Sequence, residues 1–175
     1  DKRKTASIID LVGEGIESSF DLKDQREYTG YTVKKYTPMA FADGTSASKA
    51  DGSGDFQTSQ HQDFVVVRYA DVLLMAAELG SSNAQLYFDK VRSRAGLTTK
   101  EPSQENIMKE RFVEFAFEGQ RYWDLLRQGI DVASSTIAES GIELKSGGNP
   151  DVITITADKI KTTKGFCQIP STQIT

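Results

Sequence analysis

Three carboxylates at helical spacing are the residues of this sequence best suited to chemistry. Glu110, Glu114 and Glu118 follow one another at intervals of four within ERFVEFAFEGQRYWDLLRQG, residues 110–129. A helix would stack them on one face. A glycoside hydrolase uses such a carboxylate pair when the two groups flank the scissile bond, about 5 to 9.5 Å apart. The spacing therefore makes a hydrolase one interpretation of this segment.

Arginines interleaved with these acids favour a structural interpretation. Like charges at i, i+4 repel unless cations lie nearby, and three of the acids have an arginine three positions away. The expected ion-pair network contains Glu110, Arg111, Glu114, Glu118, Arg121, Asp124 and Arg127. Large apolar residues at helical spacing usually pack in a core, so Trp123 and the phenylalanines are expected there.

The single histidine and the single cysteine exclude several kinds of site. Cys167 has no partner for an internal disulfide. A zinc site needs several Cys or His ligands, and no G-x-S-x-G motif accompanies His61. His61 is interpreted as a solvated loop residue.

A calcium loop is the remaining metal hypothesis. Asp51, Ser53 and Asp55 alternate in DGSGD, but the EF-hand pattern then requires glycine where Phe56 stands, and a closing glutamate. No cofactor is expected, and calcium at these three residues is kept as an alternative.

Charge and hydropathy exclude two classes of partner. The chain has 175 residues and a net charge of −4, with no Lys/Arg-rich block, so nucleic acid is not expected. No apolar run approaches the roughly 20 residues that span a bilayer, and no signal peptide opens the chain.

Helical periodicity dominates the middle of the chain. Residues 64–67 read as a buried strand or as an apolar lead-in to a helix that is predicted from Tyr69. A second helix is predicted between the GSSN break and Gly96. Together they form an antiparallel hairpin. A third helix is expected from about Ser103, weakened at Gly119 and followed by a short helix that ends at Gly129. The stripes predicted to be buried contain Tyr69, Val72, Leu73, Ala76 and Ala77 in the first helix, Leu86, Tyr87, Val91 and Leu97 in the second, and Ile107, Met108, Phe112, Val113, Phe115, Ala116 and Phe117 in the third.

Extended segments and loops flank these helices. YTGYTVKKY at 28–36 and VITIT at 152–156 have the composition or alternation of strands. GFCQIP at 165–170 is the predicted partner of VITIT. Residues 40–63 read as a long surface loop, because they are rich in Gly, Ser, Ala and Asp.

Four blocks, in this order, resemble the C-terminal part of the SusD/RagB family. They are RYADVLLMAAEL, FDKVRSRAGL, ERFVEFAFEGQRYWDLLRQG and a terminal QIP. The resemblance implies a mainly α fold with long irregular loops and a few short strands, on a tetratricopeptide-like hairpin scaffold. It also implies three parts: a loop-rich segment at 1–63 with ligand-facing loops, a helical scaffold at 64–130, and a loop with short strands at 131–175.

Family members are nutrient-binding lipoproteins of the outer membrane, so the resemblance implies capture of an oligosaccharide or polysaccharide without catalysis. The implied protein partner is a SusC-like, TonB-dependent transporter. Contact with the membrane would be made through an N-terminal lipid anchor that this chain lacks. The family's motifs carry no ligand residues. The chemistry of sugar stacking alone suggests Tyr28, Tyr31, Tyr36, Phe41 and Phe56.

Two other functions stay open at this point. A helical adaptor with only protein partners would show no carbohydrate affinity. A carboxylate hydrolase would lose turnover when Glu114 or Glu118 is replaced by glutamine.

Overall fold

A computed structural model of the chain is mainly α-helical with a few short strands, as predicted. The residues that it describes are 1–15, 29–37, 65–146, 149–167, 169–170 and 173. Its elements are α1 (Arg3–Ser7), β1 (Ile8–Asp10), β2 (Tyr31–Val33), α2 (Tyr69–Glu78), α3 (Ala84–Arg94), α4 (Gln104–Glu114), α5 (Arg121–Leu126), α6 (Ile130–Ile137), β3 (Glu139–Ser146), β4 (Asn149–Ile155) and α7 (Ala157–Thr162). None of the helices in these described segments is long and apolar enough to cross a lipid bilayer.

The chain divides into two compact units. Unit one contains Asp1–Ile9 and Val33–Glu114, and unit two contains Asp10–Thr32 and Phe115–Thr175. The functional division at residues 63 and 130 is a separate expectation, and it stays a prediction.

The predicted helical hairpin is present in unit one as α2 and α3, which pack against each other. Gly80 adopts φ 72° directly after α2, and Gly96 adopts φ 77° directly after α3. At the end of α3, the backbone N–H of Leu97 donates to the Arg92 carbonyl at 3.0 Å. This is the hydrogen bond of a Schellman C-cap, which needs a left-handed residue such as Gly96.

Helix α4 also starts where the sequence predicts. The Ser103 hydroxyl accepts a hydrogen bond from the Asn106 N–H at 3.3 Å, which satisfies one of the free donors of the first turn. The helix ends at Glu114, five residues before Gly119, and the backbone then turns through Phe117 at φ 67°.

The core of unit one is formed by α2, α3 and α4. Its most deeply buried side chains are Leu74, Phe88, Val91 and Ile107. Phe88 is the largest of them, and the guanidinium of Arg92 lies over its ring, 5.6 Å from the centroid.

Several predicted core positions are wrong. Tyr69, Val72 and Leu86 are exposed, whereas Asp71 and Leu74 are buried. On α4 the buried face contains the predicted Ile107 and Met108 together with three charged residues. Phe112 is 53% exposed, and Val113 and Phe117 are exposed as well. Of the two interpretations of the segment before α2, the buried strand is wrong for the described valines, because Val65, Val66 and Val67 are exposed and lie outside any strand.

Unit two contains α5, α6, α7 and the β3–β4 hairpin. Helix α6 packs against both α5 and α7, and Leu125 and Ala133 lie in its core. The pairing predicted for VITIT is wrong: β4 pairs antiparallel with β3, with Ile142 opposite Ile153. Strand β3 is the nearest segment along the chain, so it closes the shortest loop. Phe166 and Cys167 belong to no strand.

The two short strands β1 and β2 form the second sheet. The Leu11 N–H donates to the Gly30 carbonyl at 3.0 Å, and the Lys34 N–H donates to the Ser7 carbonyl at 2.8 Å. The strand predicted in YTGYTVKKY is therefore present over its central residues.

Candidate functional site

The carboxylates of α4 lie on the buried face of the helix and contact arginines from distant parts of unit one. Glu110 accepts from Arg3 Nη1 at 2.6 Å and from Arg92 Nη1 at 2.7 Å. The Glu110 side chain is buried, so each of its oxygens has a charged hydrogen-bond donor that replaces water.

Glu114 has an even denser set of cationic donors. Its Oε1 accepts from Arg68 Nη1 at 2.9 Å and from Arg94 Nη2, and its Oε2 accepts from Arg3 Nη1 at 3.2 Å. The backbone carbonyl of the same residue accepts from Arg68 Nη2 and Lys35 Nζ, each at 2.9 Å. The side chain is 1% exposed. Both carboxylate oxygens are therefore already used inside the fold.

These contacts set the ionisation of Glu114. Burial alone would raise its pKa, but the hydrogen bond from Arg68 and the charges of Arg94 and Arg68 outweigh burial, so the pKa lies below its ordinary value. The group is thus an anion at neutral pH. A general acid needs a proton to give and a general base needs access to the substrate, and this carboxylate fits neither role.

The lowered pKa predicts an acid-sensitive fold. Because the folded state holds the proton less tightly than the unfolded state, the Glu114 contribution is complete above the unfolded pKa of 4.5 and is lost as pH falls through the lower folded pKa. One additional bound proton gives a slope of about 1.4 kcal/mol per pH unit. Urea unfolding of the wild type and of Glu114→Gln between pH 6 and 3 measures how steeply the free energy of unfolding falls with pH. The slope should be smaller in the variant, and equal slopes would contradict the assignment.

A second buried ion pair joins α2 to α4. Arg111 Nη1 donates to Asp71 Oδ1 at 2.5 Å, and the two side chains are 6% and 11% exposed. The sequence spacing predicts that Arg111 lies near Glu114, whereas the structure shows Arg111 in an ion pair with Asp71. Asp71 was not among the predicted ion-pair residues. Arg3, Arg68, Arg92 and Arg94 were likewise missed, because a local pattern records only neighbours along the helix.

The prediction that Glu118 shares a helix face with the other two acids is wrong. Helix α4 ends at Glu114, and Glu118 lies in the following turn, where its N–H donates to the Phe115 carbonyl at 3.0 Å. A pair between Glu118 and Arg121 stays a prediction. The expected pair of Asp124 and Arg127 is present, with Arg127 Nε 3.0 Å from Asp124 Oδ1.

Two of the five aromatic candidates lie in the described residues. Tyr31 is on β2 and is 54% exposed. Tyr36 is partly exposed and has a backbone φ of 62°, a conformation that favours glycine. The candidates outside the described residues are Tyr28, Phe41 and Phe56, and the calcium candidates Asp51, Ser53 and Asp55 lie outside as well. Within the described segments, no group of three His, Cys, Asp or Glu side chains could hold a metal ion.

An exposed aromatic pair on α5 was missed. Trp123 was expected in the core, but its side chain is 62% exposed. Tyr122 packs edge-on against it, with ring centroids 5.6 Å apart and an interplanar angle of 75°. The Tyr122 hydroxyl donates to the Gly165 carbonyl, which fixes the ring that supports Trp123. An exposed indole is suited to stacking on the C–H face of a pyranose.

The helical pattern itself contains the signal for this exposure. Asp124 and Leu125 are the buried positions of α5, so the short helix turns Trp123 away from them. Trp123 was predicted to be buried because its indole is large and apolar, without considering which positions of the helix face the core.

A sequence profile of the SusD family matches residues 13–175. Two curated relatives come from Formosa agariphila. SusD-like protein P25 is 40% identical over 94 residues, covering 46% of this chain and 18% of the relative. SusD-like protein P2 is 30% identical over 99 residues, covering 46% of this chain and 19% of the relative. The matched region spans about a fifth of the length of either relative.

Solved structures match over nearly the whole chain. Surface glycan-binding protein A from Bacteroides thetaiotaomicron, in complex with laminarihexaose, aligns with a TM-score of 0.61 and 28% identity, covering 93% of this chain and 36% of that protein. A laminarin-binding SusD-like protein aligns with a TM-score of 0.61 and 28% identity, covering 98% of this chain and 35% of that protein. The expected SusD-like fold is therefore confirmed, over about a third of the length of these solved proteins.

Proposed function

The chain belongs to the SusD family, and we propose that the whole protein captures oligosaccharides at the bacterial cell surface and delivers them to a SusC-like, TonB-dependent transporter of the outer membrane. The observation that carries this proposal is the structural match, over 93% of the chain, to a surface glycan-binding protein in complex with laminarihexaose. This chain spans about a third of that protein, so its own share of the glycan site is part of the proposal.

The exposed aromatic side chains supply the chemistry for capture. Sugar rings stack on aromatic faces through their C–H bonds, and polar side chains nearby select among hydroxyl patterns. In unit two, Trp123 and Tyr31 present such faces. The ligand-facing role proposed for residues 1–63 extends to Tyr28, Phe41 and Phe56, while residues 64–130 act as the scaffold and residues 131–175 add a loop with short strands.

We expect the protein to release the captured glycan without hydrolysing it. Both carboxylates of α4 that resemble a hydrolase pair are occupied by arginines, and a glycosidase acid and base must contact the scissile bond from a cleft. The helical acids therefore support the hairpin scaffold, which favours a binding protein over an enzyme.

Replacing Trp123 with alanine should weaken glycan binding about tenfold, because stacking contributes about 1 kcal/mol or more per ring. Isothermal titration calorimetry with laminarihexaose measures the change, with released reducing sugar assayed in parallel. Trp123→Phe keeps a ring and should lose less. Phe166→Ala, which removes another exposed ring from unit two, is the matched control.

Three results have distinct meanings for this proposal. Binding by the wild type, weakened selectively by Trp123→Ala, supports capture at α5. Binding that both alanine variants leave intact places the glycan elsewhere and contradicts the assignment of Trp123. Release of reducing sugar would contradict the non-catalytic function.

A further inference from the structure

A cavity of about 300 Å³ opens in unit one between the N-terminal half of α2 and the C-terminal half of α3. Its lining includes Arg68, Tyr69, Leu73, Lys90, Val91 and Arg94. This volume is at the lower end of the range for small-ligand sites, which suits a single sugar unit better than a long chain.

The cavity is cationic although the whole chain is acidic. Arg68, Lys90 and Arg94 contribute three positive charges, in a chain whose net charge is −4. Glu114 Oε1 accepts from both Arg68 and Arg94. That single carboxylate is also shared with Arg3, and Lys90 and Arg94 are the two exposed cations of the lining.

Two of these cations have donor groups directed to solvent. The Arg94 side chain is 60% exposed and reaches Glu114 through Nη2. In the part of the chain that the structure describes, the Lys90 ammonium has no hydrogen-bond or ion-pair partner, and this residue is exposed. An ammonium and a guanidinium on neighbouring turns of one helix can both bind the same anionic group.

The remaining walls are apolar. Leu73 and Val91 line the cavity and are buried, whereas Tyr69 lines it and is 69% exposed. A ligand that matches these surfaces has an anionic group for the two cations and a ring face for the tyrosine. A pyranose with a carboxylate or a sulfate group has both features.

We propose that this cavity binds the anionic group of an acidic sugar. The inference rests on the proposed function, because it names the class of glycan that unit one would select. A uronate carboxylate and a sulfate ester share the required chemistry: a compact anion that accepts several hydrogen bonds from Lys90 and Arg94. Tyr69 would stack on the ring that carries the anion.

The test compares three sugars with the 175-residue chain by isothermal titration calorimetry: trigalacturonate, glucose 6-sulfate and the neutral laminarihexaose. We expect at least one acidic sugar to bind, and its affinity to fall about tenfold between 50 and 500 mM salt, because ions screen exposed charges. Lys90→Gln should weaken that binding about three- to tenfold. Lys100→Gln, an exposed lysine of the same unit outside the cavity, should leave it unchanged.

The outcomes separate this inference from the proposed function. Binding of trigalacturonate alone identifies a carboxylate ligand, and binding of glucose 6-sulfate alone identifies a sulfate. Binding of laminarihexaose alone overturns the anion site and leaves glycan capture standing. Acidic-sugar binding that Lys90→Gln and Tyr69→Ala leave unchanged also overturns it. If none of the sugars binds, the anion site is overturned and glycan capture by this part of the protein is contradicted as well.

Discussion

Replacing Glu114 with glutamine should lower the free energy of unfolding of unit one by about 3 kcal/mol, the lower end of the cost of breaking a buried ion pair from one side. The carboxylate accepts from Arg3, Arg68 and Arg94. A glutamine offers one carbonyl oxygen and turns an NH₂ group toward a guanidinium. The lower end of the range applies because Arg94 is largely exposed and recovers water.

Urea unfolding followed by circular dichroism measures this loss. Glu105→Gln is the matched control, because Glu105 lies on the same helix but is exposed, with a solvent-facing partner in Lys109. That change should leave the free energy of unfolding nearly unchanged, because exposed ion pairs contribute little to stability. If Glu114→Gln kept full stability and instead abolished release of sugar from a glycan, Glu114 would be a catalytic acid and the structural assignment would be wrong.

Replacing Arg111 with methionine should cost about 3 to 5 kcal/mol, because it leaves the carboxylate of Asp71 buried without its cation. The pair connects α2 with α4 across the core of unit one, with both side chains almost fully buried. Thermal and urea unfolding of the variant measure the loss. The methionine keeps most of the volume, so the effect reports the charge rather than a cavity.

The double variant Asp71→Leu with Arg111→Met is the control for this second prediction. Two apolar side chains remove both charges together, and such replacements are often neutral or stabilising. The double variant should therefore be more stable than Arg111→Met alone. Equal losses in the single and double variants would mean that the cost comes from packing, and the pair would not have the assigned role.

The ends of the helices could be predicted from the sequence because local residues determine them. Gly80 and Gly96 adopt the left-handed backbone that ends a helix, and Ser103 caps the first turn of α4. These signals need only neighbours within a few positions. The hairpin of α2 and α3 follows from the short connection between them.

Ile107 and Met108 are buried on α4 as predicted, but the charged part of the same face could not be predicted from local pattern. Apolar periodicity selected Phe112 and Val113, which are exposed, and overlooked the partners of the carboxylates. Arg3 is 107 residues from Glu110 and Arg68 is 46 residues from Glu114. A carboxylate can be buried in a core only when a cation pairs with it. Here the cations are distant in sequence, so no local pattern indicates the pairing.

The ligand-binding residues predicted from the sequence differ in their exposure from those predicted for the core. Tyr31 and Tyr36 are accessible, as a ligand-facing role requires, and this role is still a prediction. Trp123 was assigned to the core by its size, although the position of Leu125 on the same short helix turns it outward. The cavity between α2 and α3 combines residues of two helices, so it follows from packing rather than from any motif.

Affinity electrophoresis of the chain in gels containing a panel of soluble neutral and acidic polysaccharides tests glycan capture most directly, with reducing sugar assayed in the same samples. Retardation by at least one polysaccharide, reversed by its free oligosaccharide and without release of sugar, is the predicted result. Unchanged mobility in every gel would contradict glycan binding by this part of the protein.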